Sequence, residues 1–557
     1  FALPTQLTSN AIYRRFNAFL EEIIDGVPES YLLHSAAWLV DKVEMGASAR
    51  PGGSWFDSKK RGLLAPFAVG TIDQALMAAM NVRHGFVRAF GLAGKVVILD
   101  EVHSYDAYTG TILDALIDLL QSLNCTVIVL SATLTQIRRN ELIKVDTNSV
   151  AYPLVCSKMA GLEPQVDGLK MNETHNVSVK LIENDDDAIE EAIARAANGQ
   201  QVLWIENTVG EAQEIYRTFC FKTKGSSVEL GLIHSKFTQQ DRSAREEYWV
   251  GKYGLDGKQL RLGHGRILIG TQVLEQSLDI DADFLVTRLC PTDMLLQRVG
   301  RLWRHTSTPR EKSAKCEAWV LAPLKSLVAS EPSTAFGKSS FVYSAYVLNR
   351  SYEVLGRIKA LCLPNDIRSL IESTYSERAE VDSMKSLYRD LMDGTPIRKG
   401  VKALRNFASI GLATGGQTLP EEKAQTRYSE VTEKTVLLIR ALHTDPVEKS
   451  TTVTLLDGKI LTVPHSRHAV SLSTLRNISS ALARQMITTL TARAPDPISV
   501  AKMKSYGLAH CMYVGNDDSH HSAVSIGFVT ESGRISNSND KYESFYDNEV
   551  GYRTAKI

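Results

Sequence analysis

The first 160 residues alternate between short apolar runs and stretches with helical periodicity. Val96–Leu99 and Thr126–Leu130 are short, rich in β-branched residues and bounded by polar positions, which is typical of buried parallel strands. From Ile112 to Leu123, apolar residues recur every three or four positions, which predicts an amphipathic helix. Because strand, helix and strand form the repeating unit of a parallel sheet, residues 1–160 are predicted to be an α/β lobe.

The same alternation starts again after the polar stretch Glu163–Asn176 and continues to about residue 330. A helix is predicted at Glu211–Phe221. The strands predicted around it are Val202–Ile205, Leu230–Ile233, Arg266–Ile269 and Phe284–Val286. Residues 161–330 are therefore a second predicted α/β lobe, and two such lobes in tandem predict a ligand cleft.

The pattern changes after residue 330. Residues 331–444 are highly charged and helical in period, with breaks at Gly394–Pro396 and Thr414–Gln417, and they predict a helical linker. Residues 445–557 are predicted to be a small α+β domain. Its predicted elements are a hairpin of Thr451–Leu456 and Lys459–Val463 around Asp457-Gly458, a helix at Ser471–Leu490 and a strand at Ala523–Val529.

Composition adds few constraints. The chain has 557 residues, with 63 Lys and Arg against 63 Asp and Glu, so net charge neither indicates nor excludes a nucleic-acid partner. The seven cysteines include no Cys-x-x-Cys pair, which argues against a disulfide framework or zinc knuckle and favours a reducing, cytoplasmic location. No apolar run reaches about 18 residues, so no membrane partner is expected.

Two acids follow the run Val96–Leu99. In an open parallel sheet, ligands bind at the carboxyl ends of the strands. Asp100 is placed to hold a Mg²⁺ on a nucleoside triphosphate, and Glu101 to polarise an attacking water. Ser131 and Thr133 follow the next strand, where their hydroxyls can bond the acidic pair. For both groups the alternative is an ordinary turn or helix cap.

The second lobe carries two further motifs. In Gln297-Arg298-Val-Gly-Arg301-Leu-Trp-Arg304, the spacing predicts Arg301 and Arg304 on one helical face, where they can neutralise charge on a transferring phosphoryl group. The alternative is a basic solvated face, and the nearby Arg310, Lys312 and Lys315 are predicted to be one.

The other motif, Gly270–Asp281, follows the strand Arg266–Ile269. Thr271 is a candidate contact to a nucleic-acid phosphate, and Ser277 and Asp279 are candidate contacts to ribose or bound water. The alternative is a loop that caps the next helix.

These motifs occur in the order found in a superfamily 2 helicase, and the chain more narrowly resembles the Cas3 family, the helicase–nucleases of type I CRISPR interference. The stretches that carry the resemblance are Ala2–Asn10, Leu64–Leu76, Asp100–Asp106 and Leu232–Arg242. The resemblance is dense over residues 1–306, and over 340–557 it rests mainly on domain order. It implies two RecA-like lobes, the linker and a C-terminal accessory domain.

The resemblance also implies roles for individual residues. Asp100 and Glu101 would be the Mg²⁺-binding and water-activating acids, and Gln297, Arg301 and Arg304 would meet the triphosphate across the cleft. The residues that would couple hydrolysis to movement are His103, Ser131 and Thr133. Nucleotide contacts would include Gln276 and Asp279. The contacts to the DNA backbone would come from Pro4, Thr5, Gln6, Gly70, Thr71, Thr271 and Gln272.

The implied activity is ATP-dependent, Mg²⁺-dependent movement 3′ to 5′ along single-stranded DNA. Proteins of the family are recruited to an R-loop by the Cascade complex with its guide RNA, and a separate His-Asp nuclease domain cuts the strand. Two alternatives remain open: a non-hydrolysing module that binds DNA or Cascade, and another superfamily 2 translocase acting on DNA or RNA.

Two parts of the family pattern are missing. The sequence contains no P-loop, Gly-x-x-x-x-Gly-Lys-Ser/Thr, and no His-Asp dipeptide. Because the family has both upstream of the segment that matches Ala2–Asn10, the chain is expected to begin just after the P-loop, with the missing parts upstream or on a separate chain. By itself it is expected to hydrolyse ATP poorly or not at all, and no nuclease metals are expected. Asp517–His521 is predicted to be a solvated turn.

Overall fold

The computed structural model describes residues 1–25, 30–33, 62–102, 105–159, 161–170, 174–276, 278–413, 418, 425–511 and 524–557. The chain forms two units, each assembled from separate stretches of sequence. The first contains residues 1–177, 290–296 and 323–430, and the second contains residues 178–289, 297–322 and 431–557.

A parallel five-stranded sheet lies at the centre of the first lobe, in the order β2-β3-β1-β4-β5. Its strands are β1 Ala2–Leu3, β2 Tyr31–Leu33, β3 Ala68–Thr71, β4 Val96–Leu99 and β5 Thr126–Val129. Its helices are α1 Gln6–Ile23, α2 Ile72–Leu76, α3 Gly85–Leu92, α4 Ala107–Ser122 and α5 Gln136–Ile143. Strands β6 Leu154–Ser157 and β7 Gln165–Gly168 pair antiparallel after it.

Helix α4 shows why this sequence folds as it does. Asp106 accepts a hydrogen bond from the N–H of Thr109 and so caps the first turn of the helix. The apolar positions of the helical stripe are buried in the core of the lobe: Ile112, Leu113, Leu116, Ile117 and Leu120. The helix therefore fixes the position of the chain that immediately follows β4.

The second lobe is built on a parallel sheet whose strands within this unit follow the order β10-β11-β9-β12-β13-β8. The strands are β8 His175–Ile182, β9 Gln201–Ile205, β10 Glu229–Ile233, β11 Arg266–Gly270, β12 Phe284–Arg288 and β13 Glu317–Leu321. The helices are α6 Asp185–Ala197, α7 Val209–Lys222, α8 Gln239–Tyr253, α9 Val273–Gln276 and α10 Thr292–Val299.

The linker segment of the first unit is mainly helical. Its elements are α11 Lys325–Ser330, α12 Ala345–Leu355, β14 Ala360–Leu363, α13 Ile367–Tyr375, α14 Asp382–Asp393, β15 Gly394–Thr395, β16 Arg398–Lys399 and α15 Val401–Leu412. Helix α15 packs on the first lobe, since Ala408 is buried in the core that contains α4.

The C-terminal segment of the second unit is α+β. Strands β17 Glu433–Ile439, β21 Met486–Leu490 and β22 Ser525–Phe528 form one sheet, and β18 Ala441–Asp445, β19 Ser450–Thr454 and β20 Ile460–Pro464 form a second. Helices α16 Leu472–Ala483 and α17 Val500–Ser505 accompany them. A final hairpin, β23 Tyr542–Asp547 and β24 Gly551–Lys556, places Val550 in the core of the second lobe.

The predicted fold class, two parallel-sheet α/β lobes with a helical linker and an α+β C-terminal domain, is confirmed. The predicted helix Ser471–Leu490 is wrong in its second half: the helix ends at Ala483, and Met486–Leu490 pairs antiparallel with β17. The predicted break at Thr414–Gln417 lies outside the described residues. None of the described helices has the length and apolar character needed to cross a membrane.

Candidate functional site

The acidic pair lies at the carboxyl end of β4, a central strand of the first sheet. The N–H of Asp100 donates to the carbonyl of Ala2 at 3.0 Å, so the sheet fixes the backbone here. The Asp100 carboxylate accepts from the N–H of Glu101 at 3.0 Å. Glu101 has φ 55°, in the left-handed region that non-glycine residues rarely adopt. Such strained residues concentrate at functional sites.

Burial of the Asp100 carboxyl raises its pKa, although the hydrogen bond from Glu101 acts in the opposite direction. A divalent cation next to this half-buried carboxylate would offset the desolvation, so the environment suits a metal ligand. Among the described residues, no cluster of three or more His, Cys, Asp or Glu is arranged to hold a metal ion. A single carboxylate is compatible with Mg²⁺, which proteins often bind through one or two carboxylates together with substrate phosphates.

Ser131 and Thr133 follow β5, which pairs with β4 so that Leu99 is opposite Val129. They therefore lie beyond the same sheet edge as the acids. The Thr133 side chain is buried, and its hydroxyl has no hydrogen-bond partner within the described part of the chain. A buried hydroxyl without a partner is costly in a native structure. No hydrogen bond within the described residues therefore accounts for the burial of this hydroxyl.

The predicted DNA contacts of the first lobe follow the neighbouring strands β1 and β3, which pair with Ala2 opposite Gly70 and Leu3 opposite Thr71. The Thr5 hydroxyl accepts from the N–H of Thr8 and caps α1, and Thr71 is buried. A Cβ on Gly70 would lie 2.4 Å from the carbonyl oxygen of Leu33, so a larger residue would force the strands apart. Pro4, Thr5 and Gln6 thus follow β1, which lies between β3 and β4, and Gly70 and Thr71 form the end of β3.

In the second lobe, β11 ends at Gly270, and Thr271 and Gln272 follow it. The Thr271 side chain is buried, and the Gln272 amide donates to the carbonyl of Asn207 at 3.0 Å. The Cβ of any larger residue at 270 would lie 2.5 Å from the carbonyl oxygen of Ile233. The loop is therefore held against β10, and the main chain of Thr271 is fixed together with it.

The fully buried ion pair of Arg298 and Glu275 anchors the arginine motif. The guanidinium donates to the Glu275 carboxylate at 2.6 Å and 2.8 Å, to the Thr287 hydroxyl at 2.7 Å and to the Asn207 side chain at 2.9 Å. No role was predicted for Arg298, because spacing alone does not distinguish a buried arginine from an accessible one. Gln297, Arg301 and Arg304 are each partly or largely exposed.

The prediction that Arg301 and Arg304 share a helical face is wrong. Helix α10 ends at Val299, and Trp303 has φ 51°, so both arginines lie in an irregular loop. Arg301 donates to the carbonyl of Glu275 at 3.0 Å, and Arg304 donates to the Asp279 carboxylate at 2.8 Å. Two turn-type backbone bonds, from Arg301 to Arg298 and from Leu302 to Val299, continue from the helix. Bonds from Ala282 to Arg301 and from Trp303 to Ala282 then hold the loop.

A buried charge network underlies this loop. Arg310 donates to both oxygens of Asp281 at 2.8 Å and to Asp283 at 2.6 Å, and its guanidinium lies 4.6 Å from the centre of the Trp303 ring. Arg261 donates to Asp283 at 2.8 Å.

The charge network also binds the backbone of the arginine motif. The Asp281 carboxylate accepts from the backbone N–H of Arg304 at 3.0 Å. The four charges of the network therefore fix the backbone from which the Arg304 side chain extends.

The network corrects a second prediction. Arg310 was expected on a solvated basic face with Lys312 and Lys315, but its side chain is 10% exposed and paired with two aspartates. Lys312 and Lys315 are exposed. The alternation Asp279, Asp281, Asp283 in the sequence is the signal that could have indicated a partner for a nearby arginine.

Three predicted residues give no side-chain evidence. His103 and Ser277 lie outside the described residues, and nothing is described for the Gln276 side chain. The region Asp517–His521 also lies outside the described part of the chain.

The two parallel-sheet lobes, with an Asp-Glu pair after a central strand of the first and an anchored arginine loop in the second, are consistent with the RecA-like lobes of a helicase. Known proteins that are similar to this chain belong to a narrower class of helicases. The family described as "CRISPR-associated nuclease/helicase Cas3, C-terminal" matches residues 198–307. The CRISPR-associated endonuclease/helicase Cas3 of Thermus thermophilus is 31% identical over 467 residues, which cover 72% of this chain and 49% of that protein.

Solved structures agree with the sequence comparison. The crystal structure of T. fusca Cas3 superposes with a TM-score of 0.80 at 25% identity, over 99% of this chain and 64% of that one, and the same protein has been solved with ADP and AMPPNP. A structure described as "CRISPR RNA-guided surveillance complex, pre-nicking" shares the fold, with a TM-score of 0.68 at 23% identity over 99% of this chain and 67% of that one. The chain belongs to the Cas3 family of CRISPR-associated helicases, and it spans about half the length of the curated relatives it matches.

Proposed function

We propose that the chain is the motor portion of a Cas3-type helicase, which uses ATP to move 3′ to 5′ along single-stranded DNA during CRISPR interference. The observation that supports this most strongly is the geometry of the acidic pair. Asp100 and Glu101 lie at the end of a central parallel strand, and Glu101 has a left-handed backbone conformation. A pure binding module has no use for a strained glutamate at this position.

In this proposal the cofactors are ATP and Mg²⁺, and the metal supplies neutralising charge at the phosphates. Asp100 is the metal ligand, and Glu101 accepts a hydrogen bond from the attacking water. Gln297, Arg301 and Arg304 neutralise charge on the transferring phosphoryl group. The remaining nucleotide contacts are Gln276 and Asp279, and the residues that couple hydrolysis to movement are His103, Ser131 and Thr133.

The proposed DNA contacts come from two places in the fold. Pro4, Thr5, Gln6, Gly70 and Thr71 serve in the first lobe, and Thr271 and Gln272 in the second. They contact the phosphate backbone and do not read bases, so binding is expected to weaken steeply with salt. The proposed partners are an R-loop and a guide-RNA surveillance complex of the Cascade type, and the similarity to a chain solved in such a complex supports this.

The proposed division of labour follows four segments: lobe 1 at 1–160, lobe 2 at 161–330, the linker at 331–444 and the accessory domain at 445–557. We further propose that these 557 residues by themselves hydrolyse ATP slowly or not at all. The reason is that their sequence carries no P-loop motif to hold the β- and γ-phosphates. Activity measurements therefore need the native protein with a P-loop segment present, on the same or a separate chain.

The test is the rate of ATP hydrolysis by the native protein, with and without single-stranded DNA. We expect DNA to stimulate hydrolysis and Glu101→Gln to lower the stimulated rate at least ~100-fold, because a positioned base contributes about 10²–10⁴. The matched control is Glu163→Gln, since Glu163 is exposed in the same unit. An unchanged rate in Glu101→Gln, or DNA binding without any turnover in the wild type, would contradict the proposal.

A further inference from the structure

Four residues that follow helix α15, Gln425–Tyr428, lie on the part of the first lobe that carries the proposed DNA contacts. We call them the linker clamp. Arg427 donates to the two oxygens of Asp73 at 3.0 Å and 3.2 Å and to the carbonyl of Pro4 at 2.6 Å. The hydroxyl of Thr426 donates to the same Asp73 carboxylate at 2.7 Å. Asp73 lies in α2, two residues after Thr71.

Helix α4 holds the main chain of the clamp. The hydroxyl of Tyr108 donates to the carbonyl of Gln425 at 2.7 Å, and the hydroxyl of Thr109 donates to the carbonyl of Thr426 at 3.1 Å. The ring of Tyr428 lies 6.0 Å from that of Tyr108 and stacks on another aromatic ring of the linker, Phe407, at 5.8 Å. The clamp is thus fixed to the helix that begins shortly after the acidic pair.

The arrangement differs from an ordinary surface ion pair, which contributes little. Arg427 joins three segments that are far apart in sequence: the chain after β1 at Pro4, the first turn of α2 at Asp73, and the clamp itself. Its planar guanidinium serves two acceptors at once, for which a lysine is a poor substitute. Its side chain is 48% exposed and that of Asp73 is 25% exposed, so neither residue is needed to fill the core.

A second observation connects the clamp to the acidic pair. The Tyr105 hydroxyl is buried and has no hydrogen-bond partner within the residues that the structure describes. Burial raises the pKa of Tyr105, and Arg427, Asp73, Asp100 and Glu101 all contribute to the electrostatic field at its hydroxyl. The charges of the clamp and of the two acids therefore act on the same buried hydroxyl.

We propose that Arg427 is a positioning residue that keeps Pro4–Gln6 and Gly70–Thr71 at a fixed spacing and so prepares the first lobe to bind the backbone of single-stranded DNA. The proposal rests on the proposed function as a DNA motor. It assigns the linker a role in DNA binding that does not require the linker to touch the DNA.

The test is binding of a fluorescently labelled oligothymidylate to the native protein, measured at several salt concentrations. We expect Arg427→Ala to weaken binding roughly tenfold, because the lost bonds involve charged groups, and to leave the salt dependence unchanged. We expect Arg427→Lys to show the same defect, since lysine keeps the positive charge but lacks the planar guanidinium that donates to two acceptors at once. The matched control is Arg389→Ala, an exposed arginine of helix α14, which should bind as the wild type does.

Asp73→Asn is a second and sharper test, because simple electrostatics and loss of the clamp predict opposite changes in the affinity for DNA. Removing a negative charge beside DNA should tighten binding, whereas loss of the clamp should weaken it roughly tenfold. Two results together would overturn the proposal. They are wild-type affinity in Arg427→Lys, and a log–log dependence of the Arg427→Ala binding constant on salt whose slope is smaller by about 0.7. They would mean that Arg427 touches a phosphate. Wild-type affinity in Arg427→Ala or Asp73→Asn would overturn the proposal too. A wild-type protein that binds no DNA would instead contradict the proposed function.

Discussion

His234 is a buried histidine whose protonation should loosen the attachment of the C-terminal hairpin to the second lobe. Its ring stacks on Phe237 at 4.4 Å. Nδ1 accepts from the N–H of Lys236 at 3.1 Å, so Nε2 carries the proton and donates to the carbonyl of Val550 at 3.0 Å. Both nitrogens are satisfied in the neutral ring, and burial lowers the pKa of His234 to about 3.

The lowered pKa translates into a pH dependence with a definite sign. Between pH 6.5 and about 3, the unfolded chain binds a proton at this histidine that the folded chain does not. Stability therefore rises with pH across this window and is fully present above pH 6.5. At pH 5, about 1.5 pH units below the ordinary value, the expected loss is about 2 kcal/mol.

The assay is amide hydrogen exchange in strands β23 and β24, which reports the free energy of local opening. In the wild type this free energy should fall by about 2 kcal/mol from pH 7 to pH 5. In His234→Gln, which keeps a donor for Val550 but cannot be protonated, this histidine-dependent fall should be absent. His443→Gln, at an exposed position in β18, is the control and should behave as the wild type does. An equal fall in the wild type and His234→Gln would show that His234 is not the group whose protonation loosens the hairpin.

Two further predictions concern the site. Arg310→Met should lower the free energy of unfolding of the second unit by about 3–5 kcal/mol, because it leaves two buried aspartates with one arginine between them. Thermal unfolding should show this loss, whereas the free energy of unfolding of the exposed control Lys312→Met should stay within about 0.5 kcal/mol of the wild-type value. Thr133→Val should leave the unfolding temperature unchanged or slightly raised, because the Thr133 hydroxyl is unpaired within the described residues. It should nevertheless reduce the stimulation of ATP hydrolysis by DNA. A variant that loses stability but keeps full stimulation would contradict the coupling role.

Six strands of the two lobes were predicted from sequence because they are short apolar runs bounded by polar residues, whereas β1, β2, β3, β8 and β13 were not predicted. Val96–Leu99 was predicted with its observed bounds, since a β-branched run between polar residues has few other solutions. The second half of Ser471–Leu490 was not predicted as a strand, because its pairing with β17 is a tertiary contact that no local sequence pattern contains. The hairpin β23–β24 was missed, although two runs with aromatic residues flank the turn at Asn548–Val550.

The candidate site was predictable as a set of motifs but not as a geometry. The acids were expected at the end of β4, where the structure has them, because parallel strands present their ends on one edge. The arginine motif was placed on a helix that ends at Val299, since the helical spacing in the sequence does not reveal the loop that follows. The buried roles of Arg298 and Arg310 depend on partners distant in sequence, such as Glu275 and Asp281.

Strand displacement is the decisive assay for the proposal that this chain is the motor portion of an ATP-driven DNA helicase. The substrate is a short duplex with a single-stranded tail, incubated with the native protein, ATP and Mg²⁺. We expect displacement from a 3′ tail, little from a 5′ tail, and none by Glu101→Gln, which should still bind the substrate. Displacement by Glu101→Gln at the wild-type rate, or the absence of ATP-dependent displacement by a wild-type protein that binds the DNA, would contradict the account.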